Sequence, residues 1–450
     1  MTGTVWTPPH VEVPEEAPKA FEALKAAREC AIRAWPRAVY EDGFFRPPAG
    51  ALLIVSDEAA LKAILIDRTD IFLQSPLTRR ILRPVWREGI ASSEGEQWRW
   101  QRRAAAPVFT PGAVQSVIPI AERAGLLLSR RWREAAGPVD LFPDLADAVT
   151  QVVFDAFLAD EGEEAARAAF SQAGNQLTDE MAQTNLADIF QLPNWMRPLM
   201  GKTARTPGDA LHRIVADVLV RRMDKQVAGQ SLLAMLAKST DPETSQAMSH
   251  ALLVDNIVGS LAAGRETTAL ALAWTLWLIA NHAPTRARLE EELAGSGGAA
   301  PLDAAALERH PFARQVLMEA LRLYPPAPII MRACQEPFDL GGETARPGDM
   351  ILIPIYALHR RPDFWEAPDV FDPERFATGR FDARAARFRY LPFGAGPRIC
   401  LGMQFALSEA HAILVALLRT GLPRPAGDRM PGLETGATLR PDTPLRVLYG

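Results

Sequence analysis

Cysteine is scarce in this 450-residue chain: Cys30, Cys334 and Cys400 are the only three, and they lie far apart. No CxxC pair occurs. That excludes a disulfide framework and a cysteine-based structural zinc site, and it points to a reducing compartment. An excess of basic charge is missing too. Against 49 Lys and Arg stand 54 Asp and Glu, a net charge of −5, so the balance offers nothing to a nucleic acid. The first ten residues, Met1 to His10, have neither the charged start nor the apolar stretch of a signal peptide or membrane anchor. There is no internal repeat. The Gly/Ala-rich run 294–301 and the Pro/Gly stretch 421–432 read as surface loops, not as linkers.

Long apolar runs are also few, and the longest, 257–280, is interrupted. Arg265, Glu266, Thr267 and Thr268 fall near its middle. The run could span a bilayer by length, but each charge there would cost roughly 2.5–3.5 kcal/mol. A helix apolar on all sides with one polar notch is the buried centre of a large protein. Hydrophobic residues make up 48% of the chain, enough for such a core.

Helical periodicity dominates the rest. It predicts helices over 16–34, 57–66, 114–134, 143–159, 162–184, 207–226, 247–281, 284–294 and 311–323. Residues 51–55 follow a Pro/Gly turn and read as a strand, as do 350–355 within a β-rich patch over 328–356, and more strand follows Gly432. Strand signals thus sit at about 37–56, 328–356 and 432–450, with helices between them. That distribution predicts a mainly α fold with a smaller β part built from distant segments, in one domain over 1–450. Only 48 residues follow Gly402, too few for a fused reductase.

The most informative segment is Phe393-Gly394-Ala395-Gly396-Pro397-Arg398-Ile399-Cys400-Leu401-Gly402, followed at once by an apolar helical pattern over 403–418. Glycine and proline let the backbone turn tightly and approach a flat ligand. The helix after it aims its positive end at the sulfur and favours thiolate, the form that ligates a haem iron. By itself the pattern reads equally as a thiol packed beside a helix cap.

The segment resembles the haem-binding loop of the cytochrome P450 superfamily, Phe-x-x-Gly-x-Arg-x-Cys-x-Gly, with every fixed position filled. The resemblance covers essentially the whole chain and implies that fold, with haem between the long central helix and the cysteine-loop helix. It makes Cys400 the axial ligand of the iron, pairs Arg398 with a propionate, packs Phe393 on the sulfur side, and gives Gly396 and Gly402 to close approach. Ala263-Gly264-Arg265-Glu266-Thr267-Thr268 resembles the family's oxygen-activation segment. There Thr267 would hold bound oxygen and its water, and Glu266 would relay protons from solvent. A positioned acid–alcohol pair suits that task, and a threonine bonded back to a carbonyl four residues earlier bends the helix and opens a groove. Arg265, at the variable position, is expected in a salt bridge away from the haem.

Other motifs are weaker alone. Glu319 and Arg322 could be an ordinary surface pair, but with Phe371-Asp372-Pro373-Glu374-Arg375-Phe376 they resemble the family's buried triad, so Glu319, Arg322 and Arg375 are expected to be structural. Trp98 and Arg102 match the propionate-binding Trp-x-x-x-Arg segment, and Arg332 sits where another propionate arginine is common. Arg99, Arg103, Arg384, Arg387 and Arg389, with Arg398, read as a docking patch for an acidic electron donor. Ala262, Ala263, Ala327, Ile329 and Ile330 would line an apolar substrate pocket under a lid at 189–200.

The resemblance therefore implies a haem-thiolate monooxygenase that puts one oxygen atom of O2 into a C–H bond of an apolar substrate. Its cofactor would be haem b (iron protoporphyrin IX). Electrons would come ultimately from NAD(P)H through a ferredoxin or flavodoxin-type donor and its reductase. The chain is expected to be a cytoplasmic monomer of the prokaryote-like type, without membrane anchor or nucleic acid. The alternatives are a peroxide-driven peroxygenase, which usually lacks the acid–threonine pair, and a haem-based sensor without turnover.

Overall fold

The computed structural model describes all residues except 1–5, 20–21, 23–24, 27–28, 49, 159–163, 182–184, 190–191, 194–195, 197–204, 225–231, 296–299 and 428. Helix α1 (Pro76–Trp86) starts at Ser75, whose hydroxyl accepts from the Thr78 N–H. Helices α2 (Gly95–Ala105) and α3 (Pro111–Arg133) follow, the latter capped by Thr110. Then come α4 (Leu141–Leu158), α5 (Glu164–Glu180) and α6 (Arg205–Asp224). Helix α7 (His250–Asn281) begins at Ser249, which accepts from the Leu252 N–H. Helices α8 (Pro311–Leu323) and α9 (Met403–Leu418) complete the frame.

Helix α7 is the axis, with α1, α4, α6, α8 and α9 packed around it. Residues 268–280 are all buried. The C-terminal half of the apolar run 257–280 is therefore enclosed by protein, and among the described residues no single helix is long and apolar enough to cross a membrane. Helix α9, which follows the cysteine loop, is clasped by α3. The two approach so closely that a Cβ on Gly125 would lie 2.8 Å from the Cβ of Ala416.

The strands are β1 (Phe44–Phe45), β2 (Leu52–Val55), β3 (Phe72–Gln74), β4 (Val139–Asp140), β5 (Ile330–Cys334), β6 (Phe338–Asp339), β7 (Thr344–Ala345), β8 (Met350–Ile353), β9 (Pro423–Pro425), β10 (Leu433–Thr435), β11 (Leu439–Pro441) and β12 (Arg446–Tyr449). The main sheet runs β1-β2-β8-β5-β3, antiparallel except for the β2–β8 pair. It buries Leu53, Val55, Ile351 and Ile353 against Leu61, Leu65 and Leu391, a second core beside the helical one. A mainly α fold with a small sheet drawn from distant segments is what periodicity predicted.

Several boundaries differ. The strand expected over 350–355 stops at Ile353, because Pro354 has no N–H for the ladder and instead begins the helical turn Ile355–Leu358. The patch expected from 37 opens with a helical turn, Arg37–Glu41, set by Pro36. The 57–66 helix is regular over Glu58–Lys62, capped by Asp57, and then widens into a π turn over Ala63–Asp67. Of the 16–34 helix, part lies outside the described residues, and Ala31–Ala34 is a 3-10 turn. Helix α1 was not foreseen, since Pro84 and three arginines mask the apolar row Leu77, Ile81 and Val85.

The segment between β8 and α9 has little regular structure and is held from beneath by side chains. Arg322, fully buried, donates to both oxygens of Glu319 (2.7 and 2.8 Å) and to the carbonyls of His359, Pro368 and Val370. Glu319 also accepts from the Asp372 N–H (2.9 Å). Arg375 approaches Glu319 at 3.6 Å and donates to the Ala367 carbonyl. His359 continues the chain of support: it bonds the Arg322 carbonyl through Nδ1 and accepts the Leu391 N–H at Nε2 (2.8 Å). Those partners place its proton on Nδ1. Burial holds the ring neutral and lowers its pKa to about 3.

Removing one partner of this network leaves a buried charge uncompensated. Arg322→Ala and Glu319→Gln are each expected to lower stability by about 3–5 kcal/mol, and Arg375→Ala by about 1–2 kcal/mol, measured by chemical denaturation. Acid acts on the same region. His359 (folded pKa about 3) and His411 (about 4, also depressed mainly by burial) are neutral when folded but protonate near 6.5 when unfolded. The contribution of these two rings is complete above pH 6.5 and falls as pH drops toward those folded values, by roughly 1.4 kcal/mol per pH unit for each ring. A pH series of melting curves checks the sign, and His359→Gln should flatten the slope.

Candidate active site

Two places in the core lie bare. Between residues 253 and 280 of α7, only 260, 262–264 and 266–267 are not buried, and Ala263 is exposed. The other is the loop at Cys400, which is exposed although protein surrounds much of it. That crowding pushes the thiol pKa up, while the Gly402 N–H and, more weakly, Arg102 favour thiolate. The sulfur is thus walled by protein and open on one side.

The loop is shaped by close contact rather than by its helix. Gly396 has φ +74°, and a Cβ there would lie 1.9 Å from the Leu65 carbonyl oxygen, so the loop is pressed onto the π turn Ala63–Asp67. The tight neighbour that demands a glycine at Gly396 is Leu65. Gly402 is uncrowded, its nearest neighbour Phe109 at 3.9 Å. The Cys400 N–H donates to the Phe393 carbonyl (3.0 Å), which closes the turn. Phe393 packs half-buried on the helical core.

Three arginines converge beside the loop. Arg398 pairs with Glu94 (2.7 Å), donates to the Ser93 carbonyl, and lies 4.3 Å over the Trp98 ring. Trp98 thus supports Arg398 by its face. Arg332 is brought in by the β3–β5 register, opposite Gln74, whose N–H holds the other Glu94 oxygen. Its pKa falls to about 10, through burial first and then the nearby Arg398 charge. Arg102 is pushed down by burial and by Arg398, with Cys400 acting the other way. Neither Arg102 nor Arg332 has a carboxylate partner among the described residues. Three cations and one carboxylate leave a surplus of two positive charges, which fits a flat ligand carrying two propionates, with Cys400 as the available thiolate.

On α7, the Thr267 hydroxyl donates to the Ala263 carbonyl (2.7 Å). The helix stays continuous through this bond. The small residues Ala262, Ala263 and Gly264 leave the helix face open beside it. Glu266 is not solvent-facing: Arg440 donates to it from Nε (3.0 Å) and Nη2 (2.5 Å), and the Thr438 and Thr178 hydroxyls also reach it. Among the described residues Arg265 makes no salt bridge. It is 2% exposed and donates to neutral oxygens of Thr150, Thr178 and Asn175.

Of the pocket residues, Ala327 is exposed and Ile329 and Ile330 are half-buried, with the Ile330 side chain against Gly394. Most of the 189–200 lid lies outside the described residues. The arginine patch is smaller than the sequence suggested. Arg99 and Arg103 pair with Glu96, Arg103 also with Asp241, and Arg389 with Glu58, leaving Arg384 and Arg387 without a carboxylate partner among the described residues.

Glu94, Arg440 and Glu409 were not foreseen. Nothing local sets Glu94 apart from Glu96, and Arg440 lies 174 residues from Glu266. Glu409 did carry a signal, an acid inside an apolar helix. It is fully buried near Thr268, and burial pushes its carboxyl well above the ordinary range, opposed by that hydroxyl.

The chain is similar to known proteins over most of its length. The family described as Cytochrome P450 matches residues 48–444. Cytochrome P450 3A13 of Mus musculus is 27% identical over 423 residues, 88% of this chain and 81% of that protein. Cytochrome P450 CYP72A616 of Paris polyphylla is 30% identical over 351 residues, 74% of this chain and 66% of that protein. Among solved structures, retinoic acid bound cyanobacterial CYP120A1 superposes with a TM-score of 0.77 at 25% identity, covering 89% of each chain. With a match across most of its length, the chain belongs to the cytochrome P450 family, haem-thiolate monooxygenases that draw electrons from redox partners.

Proposed function

We propose that this chain inserts one oxygen atom of O2 into a C–H bond of an apolar organic substrate. Electrons would come ultimately from NAD(P)H through a separate ferredoxin or flavodoxin-type partner. The observation that carries the reading is the surplus positive charge at Arg102, Arg332 and Arg398, set beside an open Cys400. Those arginines would hold the two propionates, with Trp98 keeping Arg398 in place, and Cys400 would ligate the iron. Haem, when bound there, supplies the oxygen chemistry, and a thiolate ligand favours O–O cleavage.

The remaining work falls to side chains. Thr267 presents a hydroxyl at the bare face of α7, where it can hand a proton onward, and Glu266 lies next to it as the acid of the pair. Ala262, Ala263, Ala327, Ile329 and Ile330 are small or aliphatic and suit orienting an apolar molecule while keeping water out. Arg384 and Arg387 remain as cations for an acidic donor. A single domain over 1–450 supports this division of labour, with the triad Glu319, Arg322 and Arg375 confined to structure.

Two experiments test the assignments. Cys400→Ser should retain haem weakly at most, and its ferrous carbon monoxide complex should lose the red-shifted Soret band of thiolate ligation. An unchanged band would remove Cys400 from the iron. Thr267→Ala should cut product formation by about 10²-fold while oxygen consumption continues as peroxide. Wild-type turnover driven by hydrogen peroxide as well as by a ferredoxin system would instead favour a peroxygenase.

A further inference from the structure

Glu266 is held by a distant part of the chain, and the polarity of each bond can be worked out. Arginine only donates. Thr178 Oγ1 accepts from Arg265 Nη1 (3.2 Å), so its own hydrogen is free for Glu266 Oε2 (3.4 Å). Thr438 Oγ1 accepts from Arg440 Nε (2.9 Å), which leaves its hydrogen for Glu266 Oε1. Oε1 therefore takes three donors, two from Arg440 and one from Thr438. Among the described residues Oε2 takes a single long contact. One oxygen is saturated and the other is nearly free.

The hairpin that carries Arg440 also touches the border of the proposed pocket. The Leu439 N–H donates to the Pro326 carbonyl (3.0 Å), one residue before Ala327, and the Ala437 N–H donates to the Met181 carbonyl (3.2 Å). Arg440 itself bonds the Thr178 carbonyl through Nη1 (2.7 Å). Its side chain is 8% exposed and that of Glu266 14%, so water competes little with these bonds. The pair Glu434↔Arg440 in the β10–β11 register fixes where the guanidinium emerges.

We infer that Arg440 is the positioning residue of the Glu266 relay: it pins Oε1, leaves Oε2 to exchange protons, and ties that arrangement to a hairpin at the pocket wall. The inference rests on the reading of Glu266 as the relay acid. A proton bound at Oε2 leaves from Oε2, and only O–H bonds form and break. The Pro326 carbonyl is bonded to Leu439, the residue before Arg440. A salt bridge that merely joined helix to hairpin would need no division between the two oxygens.

The test uses full-length, haem-loaded protein with a surrogate ferredoxin, its reductase and NADPH, without added substrate. Oxygen consumption is compared in H2O and D2O for wild type, Glu266→Gln, Arg440→Gln and Arg440→Lys. Glu266→Gln and Arg440→Gln should both raise the solvent isotope effect by about twofold, as expected when proton transfer becomes slower. Arg440→Lys should recover part of the loss, and it serves as the second variant where Arg440→Gln folds poorly. Amide exchange over 433–441 should quicken in Arg440→Gln. An isotope effect that rises in Glu266→Gln but stays at the wild-type value in both Arg440 variants overturns the role of Arg440 and leaves the relay standing. An unchanged value in Glu266→Gln overturns the relay and this inference with it.

Discussion

The Arg322 guanidinium is the contact on which the cysteine loop depends. It is fully buried, neutralised by Glu319, and its remaining donors gather the carbonyls of His359, Pro368 and Val370. His359 then holds the Leu391 N–H, and Gly394 bonds back to the Leu391 carbonyl. A segment with almost no regular hydrogen bonding is thereby fixed up to the turn that presents Cys400. Burying an ion pair is seldom a net gain in stability. Here its geometric effect is what matters, since one planar donor group sets the position of three distant carbonyls at once.

Charge in the cleft follows the opposite logic. Around Glu319 the protein satisfies almost every donor, whereas at Arg102 and Arg332 it leaves cations without carboxylates. Burial and mutual repulsion both work against these charges. Uncompensated cations in a partly closed site are what a protein carries when an anionic ligand completes it. The same contrast separates the two acids near the threonines. Glu266 is bound by Arg440 and two hydroxyls, while Glu409 is driven toward its neutral form by burial.

Much of the candidate site was legible in the chain because its parts are local. The ten residues around Cys400 carry their own spacing, and Glu319 and Arg322 are one helical turn apart. The notch in α7 stands out because charge and threonine interrupt an apolar run. What stayed hidden are partners separated by long stretches of chain, such as Glu94 with Arg398, or Thr438 and Arg440 with Glu266. No periodicity reports a contact across 174 residues. The arginine patch was overread for the same reason, since Arg103 is cancelled by Asp241, 138 residues away.

By itself the sequence determined the class of fold and the chemistry on offer: helices with a minor sheet, one thiol in a glycine turn, and an acid–alcohol pair in a buried helix. These rest on period, composition and short spacing, which act within a few residues. Tertiary structure alone decided how those groups are held. It pressed Gly396 onto Leu65, where only a glycine fits, and left Ala262, Ala263 and Gly264 unburied on the face of α7. It also gave Glu266 to a hairpin near the far end of the chain. The physical reason is that burial and pairing are set by which distant surfaces meet, and only the packed chain brings them together.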